Sequence, residues 1–404
     1  MYLRKLALAG VFALMGSTAM AACAFENAVP LKSLSAAFEA WKSATTAMAE
    51  CGNLTAELDQ EFDKKQPEAF AANPSLYQIG GVSNGSITPL MNAGTIRSLD
   101  DLVAKYGAGL APNQLIKVDG KIMAIAMMVN TQHWMYRKDI LDNLGIAVPT
   151  TYDEVLAASE KIKAAGVVDH PLGATMGVGW NLGEEVNNMF MGFGGQAVNA
   201  DGTPNVNNEM GLKTLNMLKS LTAYMDPEYL TADSTYVQQQ FQQGKIAMAN
   251  LWASRAGAMD DAAESKVVGM IEGAAAPAAM AGGAPATTLW WDGFVIAKNI
   301  SDEEADAAFR VALEGIDTEM VTAHNEDAVW LISGYTPGRL AAGAFATAAL
   351  NPPPYPSTAA MGVMHMAMDG EVGAFLKGER SAEDTLVAIE AAYTKGAKDA
   401  GILK

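Results

Sequence analysis

The segment TYDEVLAASEKIKAAG at residues 151–166 carries the signals for both ends of a helix. Thr151 is followed three residues later by Glu154, which is the arrangement of a capping box, and Gly166 is a typical helix terminator. The same opening recurs in two further places, Ser301 with Glu304 and Ser381 with Asp384 in the acidic position. These patterns predict three helices whose first turns are fixed by local hydrogen bonds.

Apolar runs of strand length alternate with such helical segments along most of the chain. The predicted strands are Val29–Ser35, Asn53–Leu58, Leu76–Gly80, Lys121–Met127, Ile246–Leu251 and Gly293–Ala297. Alternation of this kind predicts α/β domains in which the sheets are largely parallel.

Length and composition narrow the class of protein further. The chain has 404 residues, of which 50% are apolar and 18% charged, so we expect two or three domains with sizeable cores. The formal charge of −18 means that the chain lacks the excess of positive charge typical of proteins that bind nucleic acid or an anionic membrane. With only two cysteines, a disulfide-dense scaffold and a multi-cysteine zinc site are excluded.

The N-terminus has the pattern of an export signal. Arg4 and Lys5 precede the apolar run from Leu6 to Met15, and Ala19-Met20-Ala21 offers the small residues that a signal peptidase needs. We therefore expect a signal peptide over residues 1–22 and a periplasmic mature protein, with a retained anchor as the alternative. No later stretch of about 18 apolar residues is free of Pro, Gly or charge, so no spanning helix is expected.

The two cysteines fit a disulfide in an exported protein. Cys51 ends a predicted helix that runs back toward the start of the preceding strand, which is where Cys23 lies. A disulfide between Cys23 and Cys51 is therefore geometrically sensible. The alternative is lipidation of Cys23 at the lipobox-like sequence MAAC, which would leave Cys51 unpaired.

One short motif suggests catalysis. Gly81-Val82-Ser83-Asn84-Gly85 matches G-x-S-x-G between an apolar run and a helix-like segment, and His324 or His365 follows late enough to complete a triad. A strand-to-helix turn at which a ligand approaches backbone amides is the preferred interpretation. A secreted serine esterase built on Ser83 is the alternative.

A methionine-rich segment suggests either packing or a soft metal. Met361, Met364, His365 and Met368 share one helix face by their spacing. Thioether and imidazole ligands suit Cu(I), but a methionine stripe of this kind is more often a packing surface. We expect packing, and no cofactor.

The adjacent acids Glu184 and Glu185 do not form a ready catalytic couple. Neighbours in sequence do not face each other on a helix, and most such pairs lie on the solvated surface.

The tryptophans indicate the ligand class. Trp180, Trp252 and Trp290-Trp291-Asp292 lie beside polar groups at the ends of predicted strands or in loops. The C–H face of a pyranose stacks on an indole while its hydroxyls form directed hydrogen bonds, so this combination suits a sugar. Trp41 shares a helix stripe with Phe38 and Met48 and is more typical of a core residue, although it is kept among the candidates.

Several segments resemble the family 1 extracellular solute-binding proteins of ABC importers, the maltose-binding-protein-like group. These segments occur in the family's order and at its spacing over nearly the whole mature chain. They are MYRKDILDNLGIAVPTTYDEVLAASEKIKAAG (135–166), GGQAVNADGTPNVNN (194–208), FQQGKIAMANLWASRAG (241–257), WWDGFVIAKNISDEEADAAF (290–309), SGYTPGRLAA (333–342) and FLKGERSAEDTLVAIEAAY (375–393).

The resemblance implies a periplasmic binding protein type II-like fold, with two discontinuous α/β lobes, a hinge and an interlobe cleft. It places lobe 1 at residues 23–130 plus 288–332 and lobe 2 at residues 131–287 plus 333–404. The implied crossings are near Val129–Trp134, Ala284–Leu289 and Leu331–Tyr335. Lobes of this kind close about their hinges on a ligand.

The resemblance also carries over candidate ligand-binding residues. The stretch NLGEE (181–185) resembles the family's loop that supplies an acid and aromatic residues to the ligand. Trp252, at the end of a predicted strand and before Ala253-Ser254-Arg255, resembles the family's stacking tryptophan. The complete candidate set is Trp41, Ser83, Asn84, Trp180, Asn181, Glu184, Trp252, Arg255, Trp291, Asp292 and Tyr335.

The function so implied is that of an exported, non-catalytic substrate-binding component of an ABC transporter. Its partners would be a mono- or oligosaccharide and the transmembrane permease subunits, with no nucleic acid, and a monomer is expected. A polyol or a polyamine-like solute is the alternative ligand.

Overall fold

The computed structural model describes residues 23–118 and 120–404, so the predicted signal peptide lies outside the described residues. The described strands are β1 (Leu31–Ser35), β2 (Leu54–Leu58), β3 (Ile79–Ser83), β4 (Leu115–Val118), β5 (Lys121–Val129), β6 (Gln132–Arg137), β7 (His170–Gly173), β8 (Ile246–Trp252), β9 (Ile271–Ala274), β10 (Trp291–Ile296) and β11 (Val329–Trp330). All six predicted strands are present, with bounds shifted by a few residues.

Helices fill most of the remaining chain. They are α1 (Glu39–Glu50), α2 (Phe62–Ala71), α3 (Ile87–Asn92), α4 (Asp100–Tyr106), α5 (Lys138–Leu144), α6 (Tyr152–Ala165), α7 (Asn181–Gly192), α8 (Glu209–Leu221), α9 (Ser234–Gln242), α10 (Asp302–Glu314), α11 (Thr318–Ala323), α12 (Ala342–Ala349), α13 (Ala359–Lys377) and α14 (Ala382–Asp399). Short 3-10 turns occur at Pro112–Gln114, Thr222–Tyr224, Tyr229–Thr231, Ala253–Arg255, Gly257–Asp260 and Asn325–Asp327.

The predicted helix starts are confirmed, with one difference in detail. Ser301 and Glu304 form a reciprocal capping box at α10, and Ser381 caps α14 through the amide of Asp384. Thr151 accepts a hydrogen bond from the amide of Glu154, but the Glu154 carboxylate accepts from the amide of Thr150 instead of Thr151. Caps of this type contribute about 1 kcal/mol each to helix stability.

Two sheets divide the chain into two lobes. The first sheet has the strand order β11-β5-β10-β3-β1-β2 with β4 beside β5, and the second has the order β7-β8-β6-β9. The chain passes from the first sheet to the second at residues 130–131, returns between β9 and β10, and leaves again after β11. The lobe built on the first sheet is therefore assembled from separate parts of the sequence.

The expectation of largely parallel sheets is wrong. Only the pairs β1–β2, β1–β3 and β7–β8 are parallel, whereas the other six strand pairs among the described residues are antiparallel. One physical reason is the path of the chain, because β10, which returns from the other lobe, enters the first sheet in the reverse direction. Another is that β4 and β5 are consecutive strands separated by only two residues, so they pair antiparallel. Alternation of strands and helices along the sequence does not reveal such crossings.

Each lobe has its own apolar core. In the first, α1 and α10 cover one face of the sheet with Trp41, Phe294 and Phe309. In the second, α7, α8, α13 and α14 pack together around Phe190 and Tyr393. No helix within the described residues has both the length and the apolar composition required to cross a bilayer.

A disulfide joins Cys23 to Cys51, as the sequence indicated. Cys51 is the C-cap of α1, and the backbone carbonyl of Cys51 accepts a hydrogen bond from Asn27 at 2.7 Å. The bond therefore fixes the start of the described chain to the end of the first helix.

Candidate functional site

Three tryptophans from three distant parts of the sequence meet between the two sheets. Trp180 immediately precedes α7, Trp252 ends β8, and Trp290 immediately precedes β10. The ring centroid of Trp290 lies 5.5 Å from that of Trp180 and 5.8 Å from that of Trp252, with both contacts close to perpendicular. Trp180 and Trp252 face each other at 6.3 Å with planes 36° apart. We refer to Trp180, Trp252 and Trp290 as the indole cluster.

Tyr355 and His365 extend the indole cluster on one side. The His365 ring stacks on Trp180 at 4.8 Å, and Tyr355 lies against Trp290 at 4.3 Å. His365 Nε2 is 2.8 Å from the carbonyl oxygen of Trp180, so this nitrogen carries the proton and donates. Nδ1 then accepts from the Tyr355 hydroxyl at 3.0 Å. Burial lowers the pKa of His365 to about 4, so the ring is neutral at physiological pH.

Glu184 lies fully buried at the base of the indole cluster. Its Oε1 accepts hydrogen bonds from Trp290 Nε1 at 3.0 Å and from the Thr288 hydroxyl at 2.9 Å. Its Oε2 has no hydrogen-bond partner and lies 3.9 Å from His365 Nδ1. Burial raises the pKa of Glu184 to about 8, so the carboxyl is protonated at neutral pH. Oε2 is thus a buried polar atom ready for a partner.

The expectation that Glu184 and Glu185 lie on the solvated surface is wrong. Glu184 is 0% and Glu185 6% exposed, because α7 is enclosed by neighbouring helices and by the crossing segments. Glu185 points away from the indole cluster and accepts hydrogen bonds from Gln132 Nε2 at 2.8 Å and from Thr175. Burial raises its pKa to about 7. Their divergent directions agree with the rule that adjacent helical residues do not face each other.

Asn130 connects the two lobes beside the indole cluster. Its Nδ2 donates to Asp292 Oδ2 in β10 at 3.3 Å, and its Oδ1 accepts from the amide of Ser254, just after Trp252, at 3.2 Å. Asp292 is 6% exposed, and burial raises its pKa to about 7. A second buried carboxyl therefore lies at the junction of the lobes.

Ser83 and Asn84 end the third strand close to this junction. Asn84 Nδ2 donates to the carbonyl of Leu289, and Asn84 Oδ1 accepts from the amide of Trp291, at 3.2 and 3.4 Å. These bonds hold the segment that carries Trp290. Ser83 Oγ lies 3.5 Å from Ser86 Oγ, and none of the chain's four histidines forms a hydrogen bond with Ser83 in the described structure.

Two predicted tryptophans lie elsewhere. Trp41 is 2% exposed in the core of the first lobe, where its ring lies beside Gly81. Trp291 packs against a separate core of the first lobe that contains Phe70 and Val82. The structure brings Trp290 into the indole cluster instead of its neighbour, a choice that the WWD sequence does not reveal.

The remaining predicted residues are spread around the lobe junction. Asn181 begins α7 directly after Trp180. Arg255 donates to Ser234 Oγ at 2.9 Å and to Gln238 at 3.4 Å. Tyr335 stacks on Phe345 at 6.3 Å beyond the third passage between the sheets.

The residues that sequence reasoning missed are His365, Tyr355, Thr288 and Asn130. His365 belongs to the methionine stripe, and the structure buries the whole stripe against the second core, as the packing interpretation expected. A single histidine within an apolar helix face was the only available signal of its role, and the other three residues carry no motif.

Comparison with known proteins identifies the family. Residues 71–314, well over half of the chain, match the family described as bacterial extracellular solute-binding protein. A probable sugar-binding periplasmic protein of Mesorhizobium japonicum is 27% identical over 121 residues, a stretch that spans only 28% of this chain and 28% of that relative.

Solved structures share the whole fold. An ABC transporter solute-binding protein from Agrobacterium radiobacter K84 in complex with ribitol has a TM-score of 0.79 at 20% identity, covering 92% of this chain and 99% of that one. A solute-binding protein from Agrobacterium vitis S4 with bound D-mannitol has a TM-score of 0.79 at 19% identity, again covering 92% and 99%. Maltose-bound MalE3 of T. maritima has a TM-score of 0.75 at 19% identity, with coverage of 91% and 99%.

These likenesses confirm the predicted two-lobed α/β fold of periplasmic binding proteins. Taken with the match over residues 71–314, they establish that this chain belongs to the bacterial extracellular solute-binding protein family.

Proposed function

We propose that this protein is the exported substrate-binding component of an ABC importer and that it binds a sugar or a polyol between its two lobes. Stacking on Trp180, Trp252 and Trp290 supplies the apolar contact, and Glu184 supplies a directed hydrogen bond. The protein then delivers the ligand to the transmembrane permease subunits.

The observation that carries this proposal is the meeting of three indoles, one of which donates a hydrogen bond to a buried carboxyl whose second oxygen has no partner. Indole faces and a single well-placed polar atom match the two surfaces of a hydroxylated carbon skeleton. The facing indoles are 6.3 Å apart, which is less than the roughly 7 Å that two stacking contacts of about 3.5 Å each would need. A ligand inserted between them would therefore move Trp180 and Trp252 apart.

The solved relatives support the ligand class. Ribitol and D-mannitol, in the two Agrobacterium proteins, are polyols, and maltose is a sugar. The partial match to a probable sugar-binding periplasmic protein also supports a sugar as the ligand.

We place lobe 1 at residues 23–130 plus 288–332 and lobe 2 at residues 131–287 plus 333–404, with hinges at the three passages between the sheets. Asn130 and Thr131 form the shortest of these passages, and Asn130 contacts both lobes. A ligand that contacts both lobes favours the closed arrangement by its differential affinity for that arrangement.

The proposal includes a periplasmic, monomeric protein that lacks catalytic activity and binds no nucleic acid. Residues 1–22 act as the signal peptide, and the bonded Cys23 is not lipidated. The absence of a histidine beside Ser83 in the described structure argues against the esterase alternative, because the serine would lack its general base.

A thermal-shift screen against sugars, polyols, amines and anions tests the proposal. A ligand that binds only the folded protein at 100 times its Kd adds about 2.7 kcal/mol of stability. We expect sugars or polyols to raise the melting temperature and to reduce the radius of gyration in small-angle scattering. Scattering curves that do not change with any ligand, or hydrolysis of model esters that is lost in Ser83→Ala, would contradict the proposal.

A further inference from the structure

We propose that the natural ligand carries a primary ammonium group on its hydroxylated skeleton, as in an amino sugar or an amino polyol, and that Glu184 selects it. This inference rests on the proposed function and deepens it by naming the ligand's charge.

The first observation is the surroundings of Glu184. Thr288, Trp290 and His365 face its carboxyl, and none of them is a cation. His365 Nδ1 accepts from Tyr355, so this imidazole is neutral and supplies no counter-charge. Among the described residues, no lysine or arginine forms an ion pair with Glu184. A buried carboxyl without a cation is costly to ionise, and a positively charged ligand group would remove that cost.

The second observation is the aromatic surround. Trp290 donates its N–H to Glu184, and His365 Nδ1 lies 3.9 Å from Glu184 Oε2. These two rings contact three further aromatic rings, those of Trp180, Trp252 and Tyr355. The faces of indole and phenol rings attract cations, most strongly where water is excluded. Aromatic faces around an acceptor form a better environment for an ammonium group than for a hydroxyl group.

The third observation is the charge balance at the lobe junction. Asp292, the second buried carboxyl, has Asn130 as its hydrogen-bond partner and no ion pair in the described structure. Arg255, just after Trp252 in the sequence, donates to Ser234 and Gln238. The site thus presents two acids that no described lysine or arginine neutralises, which disfavours an anionic ligand and favours a cationic one.

Binding of an ammonium group has a proton balance that can be measured. Burial raises the pKa of Glu184 to about 8, so the unliganded carboxyl is protonated at pH 7. An ammonium beside Oε2 favours the carboxylate, and the displaced proton passes to solvent. A neutral sugar or polyol leaves the carboxyl protonated and releases no proton.

Isothermal titration calorimetry with matched ligands tests the inference. Glucamine and sorbitol differ only in one amino group, and glucosamine, glucose and N-acetylglucosamine form a second set. We expect each amine to bind about tenfold or more tightly than its uncharged counterparts, which corresponds to one charge-assisted hydrogen bond. Titration at pH 7 in buffers of different ionisation enthalpy should show proton release with the amines only.

Variants assign the preference to Glu184. Glu184→Gln should remove both the preference for the amine over its uncharged counterpart and the proton release. Glu185→Gln should keep both the preference for the amine and the proton release. Glu185 is also buried, but its side chain points away from the indole cluster. Proton release by the unmodified protein tests the inference independently if Glu184→Gln does not fold.

The outcomes separate the inference from the proposed function. If neutral sugars or polyols bind as tightly as their amines, or if the preference survives in Glu184→Gln, the inference is wrong and the proposed function stands. If no sugar, polyol or amino derivative binds, both are wrong.

Discussion

The indole N–H of Trp290 donates a hydrogen bond to Glu184 Oε1 across 3.0 Å and thereby joins the start of β10 in the first sheet to α7 of the second lobe. The two residues are 106 positions apart in the sequence. The same indole N–H is 2.9 Å from the Thr288 hydroxyl oxygen, which also lies 2.9 Å from Asn188 Oδ1. The buried Glu184 carboxyl is therefore held by a segment that passes between the lobes.

Trp290→Ala should weaken ligand binding by about tenfold or more, because it removes both a stacking surface and the donor that orients Glu184. The affinity of Trp290→Phe should lie between those of the unmodified protein and Trp290→Ala, since phenylalanine keeps a stacking ring but lacks the N–H. Titration calorimetry with the ligand from the thermal-shift screen provides the measurement.

The matched control is Trp291→Ala, which removes the neighbouring indole from a different core. Its affinity should stay within about threefold of the unmodified protein, because surface or remote changes seldom alter a distant site. Equal losses in both alanine variants would show that the indole cluster has no special role.

The stability of the folded protein should fall as the pH rises from about 6.5 to about 8. Burial raises the pKa of Glu184 to about 8 and that of Glu185 to about 7, so the folded state keeps protons that the unfolded state has already lost. The buried His365 has the opposite effect: its pKa is lowered, so as the pH falls below about 6.5 the unfolded state takes up a proton that the folded state does not. This contribution lowers the stability of the folded protein as the pH falls.

Denaturant unfolding at several pH values within this window measures the effect. Glu184→Gln should flatten the dependence, whereas Glu50→Gln, at an exposed position at the end of α1, should leave it unchanged. Identical slopes in the unmodified protein and in Glu184→Gln would show that burial does not keep this carboxyl protonated.

Reduction of the disulfide should destabilise the protein by about 3–4 kcal/mol, which is the chain-entropy estimate for a closed loop of about 29 residues. Cys23 and Cys51 are 28 positions apart, so the loop contains β1 and α1. Denaturant unfolding with and without a reductant checks this value, with the Cys23→Ser, Cys51→Ser double variant as the control that should not respond.

Intact-mass measurement of the exported protein checks the same bond against lipidation. We expect a mass lower than that of the reduced mature chain by two hydrogen atoms, which disulfide formation removes from the two thiols. A mass increase that corresponds to acyl chains on Cys23 would contradict the disulfide.

Gln132→Leu should destabilise the protein by about 3 kcal/mol or more. Gln132 begins β6 directly after the first passage and is fully buried. Its Nε2 donates to Glu185 at 2.8 Å, and its Oε1 accepts from Asn188 and Asn250 at 3.0 and 3.2 Å. Leucine would remove the acceptor of the two asparagine amides and one of the two donors to Glu185, and each unmade buried bond costs about 1–3 kcal/mol.

The control for this prediction is Gln243→Leu at an exposed position, where we expect a change within about 0.5 kcal/mol. Denaturant unfolding of both variants gives the comparison. A Gln132→Leu protein as stable as the control would show that the buried network is not important for stability.

Local signals predicted much of the secondary structure. The cap at Ser301, the terminator Gly166 in the left-handed conformation and the apolar run of β8 all depend on residues adjacent in sequence. Five strands were not predicted: β4, β6, β7, β9 and β11. Four of them have four residues or fewer, which carry too little periodicity to identify, and β6 (QHWMYR) mixes polar and apolar residues without a strand pattern.

By itself, the sequence determined the α/β class and favoured the Cys23–Cys51 disulfide that the structure contains, because both follow from composition, local spacing or loop geometry. Only the tertiary structure decided the antiparallel return of β10, the burial of Glu184, and the choice of Trp290 over Trp291. All three depend on the chain passing between the lobes, which brings residues more than 100 positions apart within hydrogen-bond distance. Contacts at such separations leave no periodic trace in the sequence and are set by how the two lobes pack.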